Sequence, residues 1–221
     1  MNKNYSERHK VILSQLKKEI TFDDGIKNLI DLREELFNRH IEKFFSSLSK
    51  EDFCKMPFAG STGNADATIA WSIYHIFRIE DIICHDFVSN DEQIFFSQDY
   101  QKKMNCSVVT TANEMNDDQI IEFSNQIKLD ELFSYAKEVK NVSQQVIKNL
   151  TFKHAKEKVS EQQKQKLLMQ NVVSSDPSAF WLADYWCKKD IKGLLQMPFS
   201  RHWIMHIDAC ERIIKRLNLI V

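Results

Sequence analysis

From Asp23 to about Ser47, apolar residues recur at the three- and four-residue steps of one helix face: Ile26, Leu29, Ile30, Leu36, Phe37, Ile41, Phe44 and Phe45. The same periodicity runs from Asp130 to Leu150 through Leu132, Phe133, Ala136, Val139, Val142, Val146, Ile147 and Leu150. It returns from about Phe199 to Leu217 through Ile204, Ile207, Ala209, Ile213, Ile214 and Leu217, just after Leu194 to Met197 end at Pro198. A fourth segment, capped by Asp66 and reaching about Val88, is apolar over most of its circumference, which predicts a helix deep in a core.

Between these segments the pattern weakens. Ser6 to Ile20 is loosely helical, and Ser49-Lys50-Glu51-Asp52 reads as a capping box opening one short turn that Pro57 closes. Ala59 to Asn64 is the clearest loop. Ser89 to Met115 reads as loop with one short helix near Gln93 to Gln101, and Asn116 to Ile127 as a turn or two of helix. Lys153 to Gln170 is rich in Lys, Gln and Glu, which predicts an exposed helical connector; Asp176-Pro177 restarts helix through about Lys188. No segment reads as a strand.

Only four Gly and three Pro occur in 221 residues, so long helices are favoured over short strands joined by tight turns. The expectation is a single all-α domain over 1–221, with a core from about 24 to 217 and elaborations at 1–20 and 153–190. The net charge is −1 with acids and bases interleaved, which leaves neither a basic nucleic-acid footprint nor a polybasic membrane patch. No apolar run approaches the roughly 20 residues that span a bilayer. Cys54, Cys84, Cys106, Cys187 and Cys210 are odd in number and form no C-x-x-C pair, and Met1 to Lys10 is polar. Together these lead to the expectation of a reducing, cytoplasmic setting with the cysteines buried as small hydrophobes.

Candidate chemistry rests on histidine. His202 and His206 are four apart on the last helix, about 40° around its axis and roughly 6 Å along it, so both imidazoles can reach one ion. Taken alone, such a pair is more simply a packing or capping pair. Here it sits inside an amphipathic core helix. It is not H-E-x-x-H, because Trp203 follows the first His, so the general base of a zinc peptidase is missing. A third ligand is needed, and His75 lies in the middle of the most apolar helix. His85, on that same helix, points about 80° away from it, and His40 sits on a polar edge beside Arg39.

Three features together resemble the DinB/YfiT-like superfamily of helix-bundle metalloproteins. The stretch Trp71-Ser72-Ile73-Tyr74-His75-Ile76-Phe77-Arg78-Ile79-Glu80-Asp81 is similar to the family's His-bearing helix, and His202-Trp203-Ile204-Met205-His206 to its C-terminal H-x-x-x-H pair. The order of the helices also agrees, from about residue 24 to 217. The resemblance implies a four-helix bundle in which His75, His202 and His206 hold one divalent transition metal (Zn, Ni or Fe; three imidazoles also suit Cu) with positions left for a small-molecule substrate. It further implies a thiol-dependent S-transferase or isomerase using a low-molecular-weight thiol such as mycothiol or bacillithiol, and a homodimer. Two other readings keep the same residues: a non-enzymatic metal-binding or stress-associated module, in which His40 or His85 would close the site, and a metal-dependent hydrolase. Glu80, Asp81 and Asp208 are the carboxylates placed to orient the ligand rings, though each could equally be solvated or paired with Arg78 or Arg212. Trp71, Trp181, Trp186 and Trp203 read mainly as core, with Trp71 and Trp203 nearest a pocket mouth.

Overall fold

Helix starts follow local side-chain chemistry. The computed structural model describes residues 3–60 and 67–221. Its longer helices are α1 (Lys3–Leu16), α2 (Phe22–Leu36), α3 (Ile69–Ile83), α4 (Asp117–Gln126), α5 (Leu129–Lys148), α6 (Glu161–Met169), α7 (Pro177–Cys187) and α8 (His202–Arg216). Ser49 with Asp52, Asn116 with Gln119 and Ser160 with Gln163 form capping boxes, and Asp176 caps α7 ahead of Pro177. The expected cap Asp66 lies outside the described residues; Thr68 caps α3, its hydroxyl accepting from Trp71 N at 3.0 Å. Among the described residues there is no strand, only an isolated antiparallel bridge between Lys158 and Asp190. Nor, among these residues, is any helix long and apolar enough to cross a membrane.

Three helices contain a widened turn in which an N–H reaches back five residues: Glu42 to Phe37, Ser89 to Cys84 and His202 to Met197. The last departs from the sequence expectation that Pro198 separates two helices. Pro198 has no N–H to donate, and its ring would press on the carbonyl four residues back. Opening the turn over Met197–Arg201 relieves both problems, so the chain runs on from Ile191–Gln196 into α8. Ser200 Oγ takes up the Leu195 carbonyl at 2.8 Å, and His9 Nε2 donates to the Gln196 carbonyl at 3.1 Å. Thus α1 braces the turn that leads into α8.

Helices α2, α3, α5 and α8 share one core. α3 packs against α5 and α8, and α2 against α5, α8 and α1. As its composition predicts, every residue from 69 to 88 is buried. Elsewhere the structure is more broken than the pattern suggests. The connector at 153–170 is two helices, Phe152–Ala155 and α6, and its few apolar residues are placed to count: Ala155 and Leu167 are fully buried. The 89–115 stretch holds two short helices, Ile94–Ser97 and Tyr100–Lys103, separated at Asp99 by a left-handed residue.

At the centre of the four helices lies a buried ion pair. Arg33 of α2 grips Glu80 of α3 with two bonds, 2.8 and 2.6 Å, and both side chains are fully buried. Arg33 also donates to Ser143 Oγ of α5 (2.9 Å) and to the Phe199 carbonyl (3.0 Å), while Trp203 Nε1 of α8 donates to Glu80 (2.7 Å). Removing one charge of such a pair strands the other, so Glu80→Ala is expected to lose about 3–5 kcal/mol of stability. An Arg33→Met/Glu80→Leu double substitution should recover most of it. Denaturant unfolding of the three proteins checks both expectations, and a single substitution costing under about 1 kcal/mol would contradict a dry, interlocked pair.

Candidate metal centre

The structure brings together the three histidines that the sequence singled out. His75 sits in the middle of α3, and His202 and His206 occupy the first turns of α8. One nitrogen from each can be chosen so that all lie within 4.8 Å of one another. Ring centroids are 4.9 Å apart for His75 with either partner and 4.5 Å for His202 with His206. All three are buried. His40 and His85 do not join them. His40 is held by Tyr5 Oη (3.0 Å) and Glu211 (2.8 Å), and His85 pairs with Asp91 and faces Asp81 at 3.5 Å.

The carboxylates expected to orient the rings are engaged elsewhere. Glu80 holds Arg33 and Trp203, Asp208 pairs with Arg212 at 2.6 Å, and Asp81 accepts from Tyr135 Oη and from the backbone N–H groups of Ile94 and Phe95. The orienting group of His75 is instead a backbone carbonyl. His75 Nδ1 lies 2.6 Å from the Thr111 carbonyl, which only accepts, so Nδ1 carries the proton and Nε2 keeps its lone pair. This contact belongs to a series. Along one face of α3, Trp71, Tyr74, His75 and Arg78 donate to the carbonyls of Ala112, Thr110, Thr111 and Val109, at 2.6–3.1 Å. A strap of chain is thereby tied to the helix, and Ala112 takes a left-handed φ of 61° to complete it. Trp71 then stacks on the His75 ring at 4.5 Å, with 10° between planes. The spacing of Trp71, Tyr74, His75 and Arg78 at helical intervals was visible in sequence, but nothing marked their acceptors.

Burial keeps the cluster uncharged. It pushes the His75 imidazolium down to about 4, against the opposing pull of the Thr111 bond. His202 and His206 are driven well below the ordinary histidine range by burial, reinforced by His75 for His202 and by His202 and His75 for His206. Neutral imidazole is the form that binds metal, so at pH 7 the cluster gives up no proton to do so. The Nδ1 atoms of His202 and His206 are buried without a hydrogen-bond partner. Three neutral imidazoles, each with a nitrogen within 4.8 Å of the others, form a donor set that fits one cation and suits Zn, Ni, Fe or Cu.

The three rings open onto a cavity of about 350 Å³. Its far side is α7, which contributes Trp181, Leu182, Tyr185 and Trp186; Trp71, Met197 and Met205 complete most of the rest. Trp203, between the paired histidines, is wholly buried and bonded to Glu80, in keeping with its reading as core. One expectation about tryptophan is corrected. Trp181 is 52% exposed and lines the cavity, not the core.

Comparison with protein-family models and with curated proteins finds no match for this chain.

A pH dependence follows from the buried rings. His9, His75, His202 and His206 all have folded-state pKa values below the ordinary 6.5, chiefly through burial. Above pH 6.5 neither folded nor unfolded chain is protonated there, so their neutral burial costs nothing. As pH falls below 6.5 the unfolded chain takes up protons that the folded chain refuses, and stability drops by up to about 1.4 kcal/mol per pH unit per histidine. Glu34, Glu35 and Asp91, whose pKa values are lowered, add their own loss only below about pH 4.5, the ordinary carboxylate range. Denaturant unfolding of metal-free protein at pH 7.5, 6 and 5 should show a steady decline, less steep in His75→Gln. A flat profile over that window would mean that the rings are accessible to water.

Proposed function

We propose that this chain is a divalent-metal enzyme of the DinB/YfiT-like kind, a four-helix bundle that acts as a thiol-dependent S-transferase or isomerase. One observation carries the reading: three neutral imidazoles, from two helices distant in sequence, converge on the wall of a cavity large enough for a small molecule. No fourth Cys, His, Asp or Glu joins the cluster among the described residues, the arrangement expected when a coordination position is reserved for substrate. A metal ion held there would supply a Lewis acid that favours the thiolate, the reactive form of a thiol.

The chain's own residues would do the rest. Thr111 fixes the tautomer and direction of the His75 ring through Nδ1–H, and Trp71 limits its rotation by stacking. The Trp203–Glu80 bond sets the roll of α8, and with it the direction of His202 and His206. Helix α7 covers the cavity and restricts water. The cavity lining favours the thiol reading over a hydrolase. Hydrolysis calls for a proton acceptor beside the nucleophile, and no carboxylate lines the cavity among the described residues. A thiol starts far more acidic than water and would pass its proton to solvent as it ionises, so it depends less on such a base.

Elemental analysis of the purified protein beside a His75→Ala/His202→Ala/His206→Ala variant tests the reading. About one transition-metal ion per chain is expected in the wild type and none in the variant, and thiol-transfer assays of the loaded protein would follow. A wild type that holds no metal after incubation with Zn or Ni would overturn the enzyme reading and leave a helical binding module.

A further inference from the structure

The cavity has a chemical bias that the histidines alone do not explain. Four aromatic rings line it, Trp71, Trp181, Tyr185 and Trp186, together with the thioethers of Met197 and Met205. Apart from the three imidazoles, the only polar side-chain function there without an aromatic ring, among the described residues, is the Asn113 amide. Among the described residues, the lining contains no Lys, Arg, Asp or Glu. A carboxylate or phosphate drawn into such a place loses its hydration and finds no opposite charge, except at an ion bound by the histidines. Aromatic and thioether walls instead reward flat apolar surface. The volume, about 350 Å³, falls at the lower end of the roughly 300–1,000 Å³ typical of small-molecule sites.

We infer that this cavity takes an uncharged aromatic or apolar body carrying a single metal-seeking head, and that it discriminates against ligands with a second, anionic group. The inference builds on the proposed metal centre and narrows its substrate class. The head lies toward His75, His202 and His206, and the body lies between the α7 aromatics and Trp71. A low-molecular-weight thiol would bring only its sulfur to the ion, with its polar part outside the cavity, and the apolar reactant would fill the cavity. Half-exposed Trp181 stands at the rim, where it meets the ligand body and not the head.

Two thiols of nearly equal shape test this: 4-methylthiophenol, with an uncharged tail, and 4-mercaptobenzoate, with a carboxylate in its place. Binding to the full chain loaded with Co(II) is read by the sulfur-to-cobalt absorption band, and binding to the metal-free protein by quenching of tryptophan fluorescence. The methyl compound is expected to bind about tenfold tighter or more in both forms, the penalty being that of an unpaired buried charge. Met205→Lys, which adds the missing cation to a partly exposed position of the lining, should bring the ratio to one or reverse it. Trp181→Ala should weaken the methyl compound severalfold with the cobalt stoichiometry unchanged. Equal or tighter binding of the carboxylate to the wild type, or no saturable binding of either probe, would overturn the inference. If cobalt fails to load, the metal reading falls, and the preference in the metal-free protein still decides this one. Should Met205→Lys not fold, the wild-type ratio and Trp181→Ala are sufficient.

Discussion

The Arg33–Glu80 ion pair is the contact on which the arrangement of the four core helices depends. Both groups are fully buried, a costly placement unless every partner is in position. The partners come one from each direction: Ser143 from α5, Trp203 from α8, and the Phe199 carbonyl from the widened turn. An apolar core tolerates small slips of one helix along another. This constellation does not, because a slip of one turn would leave a buried charge without its hydrogen bonds. Its effect reaches the histidines through Trp203. With the indole N–H fixed on Glu80, the flanking residues His202 and His206 can only face α3. The charges therefore set the register of the histidine cluster while touching none of its rings.

The remaining precision comes from backbone. Four donors on one face of α3 tie down the Val109–Ala112 strap, and one of those bonds is also what aims His75. On the other side, α1 reaches the widened turn through His9, so the helix before the core and the loop within it each hold one half of the site. Helix α7 contributes no histidine, yet it makes most of the far wall of the cavity. The α7 part of the segment 153–190 is therefore tied to the site by geometry.

How far this was legible in sequence depended on distance along the chain. The His202–His206 pair, the capping boxes and the buried α3 are local patterns of period or spacing, and all could be read. His75 could be nominated from its apolar surroundings, but its convergence with the pair is a tertiary fact. The role of Glu80 could not be read at all, because its partner lies 47 residues away and is an ordinary arginine in sequence. Thr111 was invisible for a different reason: every residue has a carbonyl, and no pattern singles out the one that will be used. Pro198 misled because the rule that proline stops a helix assumes a turn of fixed width, and this helix widens. The aromatic face of α7 misled because the apolar lining of a cavity and the apolar lining of a core have the same composition.

The widened turn and the helix after it also have a bearing on biosynthesis. His202 lies 127 residues beyond His75, so at translation speeds of roughly 5–20 residues per second the ribosome makes the two about 6–25 s apart. During that interval the face of α3 that packs against α8 has no partner to cover it. The paired histidines follow on α8, which packs against α3 and α2. An ion held by the three histidines would therefore be trapped only when α8 joins, in the same event that covers the apolar surface of α3, and a shortage of that ion would be met first as a chain slow to finish folding.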